Sequence, residues 1–265
     1  MIEFVESSWL KKTLLRGEEL RLVDPRSPVE YLKGHIQGAV NLPTVKIFDE
    51  ESRLLPSSQL AKIVGESGID AGSPVVVYDA VDGQAAAILA WTLEYLGHPD
   101  VRVLASLFEK WIKDGNEVYY KPVKPESRAF HARPNSKIRA EYKDLIGDDS
   151  VTLVDVRSEE EYAGTDSSEI RPGHIPGAIN LPWSRLLGGR NRFILSREDL
   201  RRVFSRVGLN TANHIVTYCR TGPRAAIGYY ALKELGFRSV RLYDGSFREW
   251  SQRPDVGVET GTRKI

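Results

Sequence analysis

Short apolar runs rich in β-branched residues alternate along this chain with longer segments of helical periodicity. Three runs in the second half are predicted to be buried strands, at 151–156, 215–218 and 239–243. Three runs of the same character occur in the first half, at 22–24, 75–78 and 101–104. Strands that alternate with helices in this way predict a mostly parallel sheet with helices on both faces.

Capping residues mark the helix boundaries between these strands. Residues 224–235 are predicted to be helical with Gly236 as the C-terminal cap, and residues 84–96 are predicted to be helical with Gly97 in the same role. Ser196 is predicted to be the N-cap of a further helix. The predicted fold class is therefore α/β.

The second half of the chain repeats the first. The ten residues that begin at Gly34 (GHIQGAVNLP) match the ten that begin at Gly173 (GHIPGAINLP) at eight positions. The offset between the copies is 131 residues at Asp24 and 139 residues at His35, so the second copy carries an eight-residue insertion within 163–171. A period this long indicates two duplicated domains rather than a solenoid.

We place the first domain at 1–118, a linker at 119–134 and the second domain at 135–265. The linker contains Pro122 and Pro125 among several charged residues, which is typical of an extended, semi-rigid connection. Two complementary domains within one chain lead us to expect a monomer.

Cys219 is the only cysteine of the chain, and it directly follows a predicted strand. The next residues, 220–224 (RTGPR), form a turn from which a predicted helix starts. The carboxyl end of a parallel strand is where α/β proteins bind ligands, and the start of a helix favours an anion such as a thiolate. A lone cysteine is usually a small buried hydrophobe, but its two arginine neighbours do not describe a packed core. We therefore predict a reactive, accessible thiol surrounded by backbone N–H groups.

The composition argues against several classes of function. Charged residues make up 28% of the 265 residues and the net charge is +1, so no overall field attracts nucleic acid or an anionic membrane. No stretch approaches the roughly 20 apolar residues of a membrane span, and the start lacks a secretory signal, so we expect a cytoplasmic protein. A single cysteine excludes an internal disulfide, and the five histidines lack metal-ligand spacing, so we expect neither a metal nor another cofactor.

Three motifs of the second half resemble those of the two-domain rhodanese (sulfurtransferase) family. They are the residues 155–157 (DVR), 173–178 (GHIPGA) and 240–250 (VRLYDGSFREW). The Cys219 loop falls where that family keeps its catalytic cysteine. The resemblance covers nearly the whole chain and implies two tandem rhodanese-like domains, each a mostly parallel central sheet flanked by helices.

The resemblance also implies that only the second domain is catalytic. In the first domain Asp79 stands in place of Cys219, and Leu104, Ala105 and Ser106 stand where the second domain has Tyr-Asp-Gly. We expect the Asp79 carboxylate to be a satisfied cap residue rather than a nucleophile.

For the second domain the family implies covalent sulfur transfer. The Cys219 thiolate would attack the outer sulfur of thiosulfate, release sulfite and keep a persulfide, which passes its sulfur to cyanide, a thiol or a thioredoxin-like protein. Backbone N–H groups of the loop would stabilise the negative sulfur. The predicted substrate-binding residues are Arg220, Thr221, Gly222, Pro223, Arg224 and, outside the loop, Arg171.

The charge of the loop bears on the identity of the donor. In the family a basic loop accompanies thiosulfate and a neutral loop accompanies 3-mercaptopyruvate, so Arg220 favours thiosulfate, with 3-mercaptopyruvate as the alternative. Two-domain members usually have an arginine before the aromatic residue that corresponds to Tyr162, and here that position is Glu161. Arg171 or the basic residues Arg185, Arg190 and Arg192 are the candidates to replace it.

Other motif residues are expected to be structural. Asp155 and Arg157 are predicted to form an ion pair. His174 is expected to be a buried hydrogen-bonding residue, because its copy His35 persists in the first half. Trp250 is expected to anchor the core.

Two other functions stay open at this point. A phosphatase or arsenate reductase on the same fold would need a longer loop, Cys-x5-Arg, whereas four residues separate Cys219 from Arg224 here. A non-enzymatic binding module made of two inactive copies is the second alternative, and the intact Cys219 loop argues against it.

Overall fold

The chain forms two compact units in a computed structural model that describes residues 2–148, 150–166, 168–189 and 192–261. The first unit comprises Met1–Asn135 and Gly188–Phe193, and the second comprises Ser136–Leu187 and Ile194–Ile265. Within the described ranges, no helix combines the length and the apolar character that crossing a bilayer requires.

The described residues of the first unit form a five-stranded parallel sheet in the order β1-β5-β4-β2-β3. Its strands are β1 (Glu3–Val5), β2 (Arg21–Asp24), β3 (Val40–Asn41), β4 (Val75–Val77) and β5 (Val101–Leu104). Its helices are α1 (Ser7–Leu15), α2 (Pro28–Leu32), α3 (Ser57–Glu66), α4 (Gln84–Tyr95) and α5 (Phe108–Lys113), with a 3₁₀ turn at Thr44–Ile47. The central strand β4 consists of three buried valines, as expected for a strand covered on both faces.

The described residues of the second unit form a sheet of the same topology, in the order β6-β10-β9-β7-β8. Its strands are β6 (Arg139–Ala140), β7 (Val151–Asp155), β8 (Ile179–Asn180), β9 (His214–Tyr218) and β10 (Val240–Tyr243). Its helices are α6 (Glu159–Ala163), α7 (Arg197–Arg206), α8 (Pro223–Glu234) and α9 (Ser246–Gln252), with 3₁₀ turns at Tyr142–Leu145 and Trp183–Leu186. The predicted fold class, two parallel sheets flanked by helices, is confirmed.

The helix ends predicted from the capping residues agree with the helix ends in the structure. Ser196 begins α7, and its hydroxyl accepts a hydrogen bond from the N–H of Asp199. Gly236 follows α8 with a φ of +87°, and Gly97 follows α4 with a φ of +84°, which are left-handed conformations that suit glycine.

The proline-containing segment after the first domain is tied to the first unit. The backbone N–H of Arg128 donates to the carbonyl of Gly65 in α3, and the N–H of Arg133 donates to Leu96 at the end of α4. The antiparallel pairing of Tyr119 with His35 holds the start of this segment. Its backbone is therefore packed against helices along much of its length.

The predicted ion pair links three parts of the second unit. The Arg157 guanidinium donates to both carboxylate oxygens of Asp155, which ends β7, and to the carbonyl of Gly173 at 2.7 Å. The ring of Phe247 in α9 lies 4.0 Å from the Arg157 guanidinium carbon. Both ionic side chains are fully buried, so the pair fixes the end of β7 relative to α9.

Two further motif residues are structural, as expected. The Nδ1 atom of His174 lies 2.8 Å from the carbonyl oxygen of Tyr162, and the two rings stack with their centroids 3.6 Å apart. The Trp250 indole is buried and donates to the carbonyl of Gly257 at 2.8 Å.

Gly173 provides a test of this packing. Its φ is +124°, and a Cβ atom there would lie 2.1 Å from the carbonyl oxygen of Glu259. We expect Gly173→Ala to lower the free energy of unfolding by about 3 kcal/mol, because left-handed strain and overpacking add. Gly177 has a φ of +75° with nothing within 4 Å of its hypothetical Cβ, so Gly177→Ala should cost about 1–2 kcal/mol. Equal shifts of the two urea unfolding midpoints would contradict this account.

Candidate active site

Strand β9 carries Cys219 to the carboxyl edge of the second sheet. It is the middle strand, and its residues 215–218 are buried. Cys219 follows directly, and α8 begins at Pro223, where the lack of an N–H costs nothing because first-turn donors have no partner in the helix. Gly222 caps α8 with a φ of +104°, a value that residues with a Cβ rarely adopt. The turn from strand to helix is therefore tight.

The cysteine sulfur lies at the base of this turn. The backbone N–H of Gly222 points at Cys219 Sγ across 3.1 Å. Cys219 is only 1% exposed, so the thiol is less open to solvent than the sequence suggests. Ser246 and Phe247, the first residues of α9, are also buried.

The start of α9 fixes the backbone of the loop by three hydrogen bonds. The Ser246 hydroxyl accepts the N–H of Cys219 at 3.1 Å, and its oxygen lies 4.0 Å from Sγ. The N–H groups of Phe247 and Arg248 donate to the carbonyls of Cys219 and Arg220, each at 3.0 Å. Ser246 adopts a φ of +55°, which is uncommon outside glycine. These bonds draw two loop carbonyls away from the sulfur.

The corresponding loop of the first domain holds a carboxylate. Asp79 is buried, and its two oxygens accept four backbone hydrogen bonds at 2.6 to 3.4 Å. The donors are the N–H groups of Ala80, Val81, Ala85 and Ala86. Burial raises the pKa of this carboxyl, while the N–H donors oppose that rise. Asp79 thus has the geometry of a satisfied cap residue, and the loop conformation directs N–H groups at a single acceptor.

Arg224 is held in a closed ion pair. Its two terminal nitrogens donate to the two carboxylate oxygens of Glu161 at 2.6 and 2.9 Å, and both side chains are less than 20% exposed. Burial opposes both charges, but the hydrogen bonds and the attraction within the pair prevail. The pKa of Glu161 is therefore below its ordinary value of 4.5, and the pKa of Arg224, which Cys219 also influences, is above its ordinary value.

Arg220 is held more loosely. Its Nε donates to Glu169 at 2.5 Å, while 41% of the Arg220 side chain is exposed. In the part of the chain that the structure describes, neither terminal nitrogen of Arg220 has a hydrogen-bond partner. Thr221, which follows it, is half-buried. Among the described residues, Arg220 is thus the loop arginine whose two terminal nitrogens are both open to an anion.

Arg171, which the sequence predicts to bind substrate, is engaged by the backbone around the end of α9. Its guanidinium donates to four backbone carbonyls at the end of α9 and just beyond it. The acceptors are Trp250, Ser251, Arg253 and Val256. The guanidinium therefore joins the end of α9 to the segment that follows it, which is a structural role.

Of the other basic residues offered as substitutes, Arg185 lies in the second unit and Arg192 in the first. Arg185 forms an exposed ion pair with Glu159. Arg192 belongs to the segment Gly188–Phe193, which is part of the first unit. Arg190 lies outside the described residues.

Two residues at the site are not singled out by sequence reasoning. Ser246 lies within the C-terminal signature, but no local rule assigns a serine there to a left-handed conformation or to the N–H of Cys219. Glu169 lies in the eight-residue insertion of the second copy, and that insertion was the available signal. The partner of Glu169 is 51 residues away along the chain, so only the fold brings them together.

The chain belongs to the rhodanese family. The family model described as "Rhodanese-like domain" matches it twice, at residues 6–114 and 139–253. Curated relatives include the "Putative thiosulfate sulfurtransferase" of Mycolicibacterium smegmatis, 30% identical over 97% of this chain and 98% of the relative. The "Thiosulfate sulfurtransferase" of Corynebacterium glutamicum is 33% identical over 97% of this chain and 90% of the relative. The "Sulfur carrier protein TtuD" of Thermus thermophilus is 30% identical over 97% and 96%.

Solved structures share the fold. The anaerobic ergothioneine biosynthesis enzyme from Chlorobium limicola, in complex with trimethyl histidine, superposes with a TM-score of 0.88. The match covers 98% of this chain and 71% of that chain at 24% identity. At this identity the likeness supports the architecture of both domains. These matches place the chain among rhodanese-family sulfurtransferases.

The hydroxyl of Ser246 gives the first prediction for the site. Ser246→Ala should lower the free energy of unfolding by about 1–3 kcal/mol, because the buried N–H of Cys219 loses its acceptor. Ser251→Ala is the matched control, since Ser251 is a buried serine of the same helix whose hydroxyl donates to the Arg248 carbonyl. Urea unfolding measures the free energy of unfolding of both variants. A Ser246→Ala variant no less stable than Ser251→Ala would contradict the role assigned to Ser246.

The Glu161–Arg224 pair predicts a specific dependence of stability on pH. Because the pKa of Glu161 is lowered in the folded state, its contribution is fully present above pH 4.5 and is lost as the pH falls through the folded value. Glu161→Gln should therefore unfold at a lower temperature than the wild type at pH 7, and the gap should close in acid below pH 4.5. A gap that stays constant across this range would show that the carboxylate charge does not stabilise the fold.

Proposed function

We propose that this chain moves a sulfane sulfur from thiosulfate to a thiophilic acceptor through a persulfide on Cys219. The observation that carries the proposal is the N–H of Gly222 directed at Sγ, in a loop whose counterpart holds the Asp79 carboxylate with four N–H groups. A turn of this conformation stabilises a negative atom at one point. In the second domain that atom is sulfur. The names of the curated relatives give further support.

The first half-reaction is a displacement at sulfur. The Cys219 thiolate attacks the outer sulfur of thiosulfate, a new S–S bond forms, and the sulfur–sulfur bond of thiosulfate breaks with its electron pair leaving on sulfite. One negative charge enters with the thiolate and remains on the persulfide, and both charges of thiosulfate leave with sulfite. The loop N–H groups then face a negative outer sulfur, which they stabilise without rearranging.

The second half-reaction returns the thiolate. Cyanide attacks the outer sulfur through its carbon, the S–S bond breaks with its electron pair on Cys219 Sγ, and thiocyanate leaves. A thiol or a thioredoxin-like protein would play the same part in place of cyanide. Splitting one transfer into two displacements at the same sulfur is covalent catalysis.

Arg220 is the donor-binding residue of this proposal. Its two terminal nitrogens have the planar geometry that suits a sulfonate-like group, and they are not used by Glu169, which binds Nε. Arg224 contributes by a different route, because Glu161 binds one N–H of each of its terminal nitrogens. Arg224 adds a positive charge near Cys219, which is one of the groups that raise the pKa of Arg224. Its ion pair with Glu161 also connects the start of α8 to α6.

A second candidate donor is 3-mercaptopyruvate. The observation that favours it is the pairing of both loop arginines with carboxylates, which reduces the net positive charge available to a dianion such as thiosulfate. A phosphatase or arsenate reductase is disfavoured by the same pairing. Such a reaction needs an arginine that grips the oxyanion, and the Arg224 fork is already occupied.

A persulfide assay tests the proposal. Incubation with thiosulfate should add the mass of one sulfur atom to the intact chain, and later addition of cyanide should remove it and produce thiocyanate. Cys219→Ser should show neither change, because serine forms no persulfide. Steady-state thiocyanate formation from thiosulfate and from 3-mercaptopyruvate then ranks the donors. Thiocyanate made equally well by the serine variant would refute the mechanism.

A further inference from the structure

Two carboxylates bind the two arginines of the Cys219 loop. Glu161 fills both terminal nitrogens of Arg224, and Glu169, whose side chain is only 7% exposed, accepts from Nε of Arg220. The two glutamates together carry as much negative charge as the two arginines carry positive charge. The loop that carries the thiol is therefore compensated in charge before any substrate arrives.

These pairings accompany the thiol and do not occur in the first domain. Gln84 stands at the position of Arg224, and its amide donates to Asp82. Glu30 stands at the position of Glu161 and pairs with Lys33 on the surface. Glu169 has no counterpart, because it lies in the insertion of the second copy. The common fold does not require either pairing.

We infer that Glu161 and Glu169 set the donor specificity of Cys219 by weakening the binding of dianionic donors relative to singly charged ones. The inference rests on the proposed function, in which an external donor delivers sulfur to Cys219. A dianion bound by Arg220 also meets the negative charge of Glu169, which is bonded to the same guanidinium. The charge of Arg224 is offset by Glu161.

The two glutamates act by different geometry. Arg220 can bind a donor through its terminal nitrogens while Glu169 stays on Nε, so Glu169 remains beside the donor as an opposing charge. At Arg224, Glu161 binds one donor of each terminal nitrogen, so it occupies the fork that would bind an anion end-on and offsets the positive charge. Both are specificity-determining residues in this account, and neither reacts with the donor.

Alkylation of Cys219 tests the inference without any sulfur donor. Iodoacetate and iodoacetamide transfer nearly the same group to a thiolate with loss of iodide, but only iodoacetate carries a negative charge. Cys219 is the only cysteine, so intact mass reports its reaction alone. The ratio of the iodoacetate rate to the iodoacetamide rate should rise about three- to tenfold in Glu161→Gln and in Glu169→Gln, since each removes one negative charge near the sulfur.

Matched controls separate local charge from net charge and from folding. Glu160→Gln and Asp166→Asn remove one negative charge each from exposed neighbours on α6 and in the insertion, and neither residue pairs with a loop arginine. Their rate ratios should stay at the wild-type value. Glutamine at position 161 preserves the hydrogen bond to the N–H of Ser158, so the start of α6 should stay intact.

The same variants are then assayed with sulfur donors. The KM for thiosulfate should fall in both glutamine variants, with a smaller change in kcat and a smaller change in the KM for 3-mercaptopyruvate. The inference would be overturned if the ratio of alkylation rates stayed unchanged in both variants. It would also be overturned if both reagents lost the same fraction of their rate. Raised ratios in a protein that forms no persulfide from thiosulfate would uphold the charge effect and refute the proposed donor. A Cys219 inert to both reagents would overturn the inference and the reactive thiol together.

Discussion

The structure of the site depends on one constraint, the orientation of the backbone N–H and C=O groups in the loop between strand and helix. In the second domain, N–H groups at the start of α9 bind the carbonyls of Cys219 and Arg220, and the N–H of Gly222 faces the sulfur. In the first domain the N–H of Phe108 binds the carbonyl of Asp79 in the same way. In the first domain four N–H groups of the loop bind the Asp79 carboxylate, so the loop presents donors to a negative group at this point. A negative atom at that point is stabilised by dipoles that the fold has already oriented.

The corresponding loops of the two domains hold different side chains at the same position. In the first domain the two oxygens of the Asp79 carboxylate accept hydrogen bonds from four backbone N–H groups of the loop. In the second domain the sulfur of Cys219 occupies the corresponding position and faces the N–H of Gly222. The two loops therefore differ at this position, and the second loop also carries the ion pairs of Arg220 and Arg224.

Much of the fold could be read from the sequence, because it is encoded locally and then repeated. The apolar runs, the caps Ser196 and Gly236 and the duplicated GHI-x-GA segment each act over a few residues, so they predict strands, helix ends and domain number. The ion pair of Asp155 with Arg157 is equally local. Its two members are two residues apart in the motif, at and just after the end of a buried strand.

The site was harder to predict because its contacts join distant parts of the chain. Glu161 and Arg224 are 63 residues apart, and no spacing rule pairs them. Arg171 lies near the motif in sequence, but its guanidinium binds carbonyls of α9 and of the residues after it, 79 to 85 residues further on. The backbone of the Cys219 loop is bound by residues of α9, and the first of them, Ser246, has a left-handed conformation. Such features follow from tertiary packing, and short-range patterns carry little information about them.

The most direct measurement is a crystal structure of the protein after incubation with thiosulfate. The account predicts one additional sulfur bonded to Cys219 Sγ, lying within hydrogen-bonding distance of backbone N–H groups from the turn between β9 and α8. An added sulfur that points away from those N–H groups, or a Cys219 that remains unmodified at saturating thiosulfate, would contradict it.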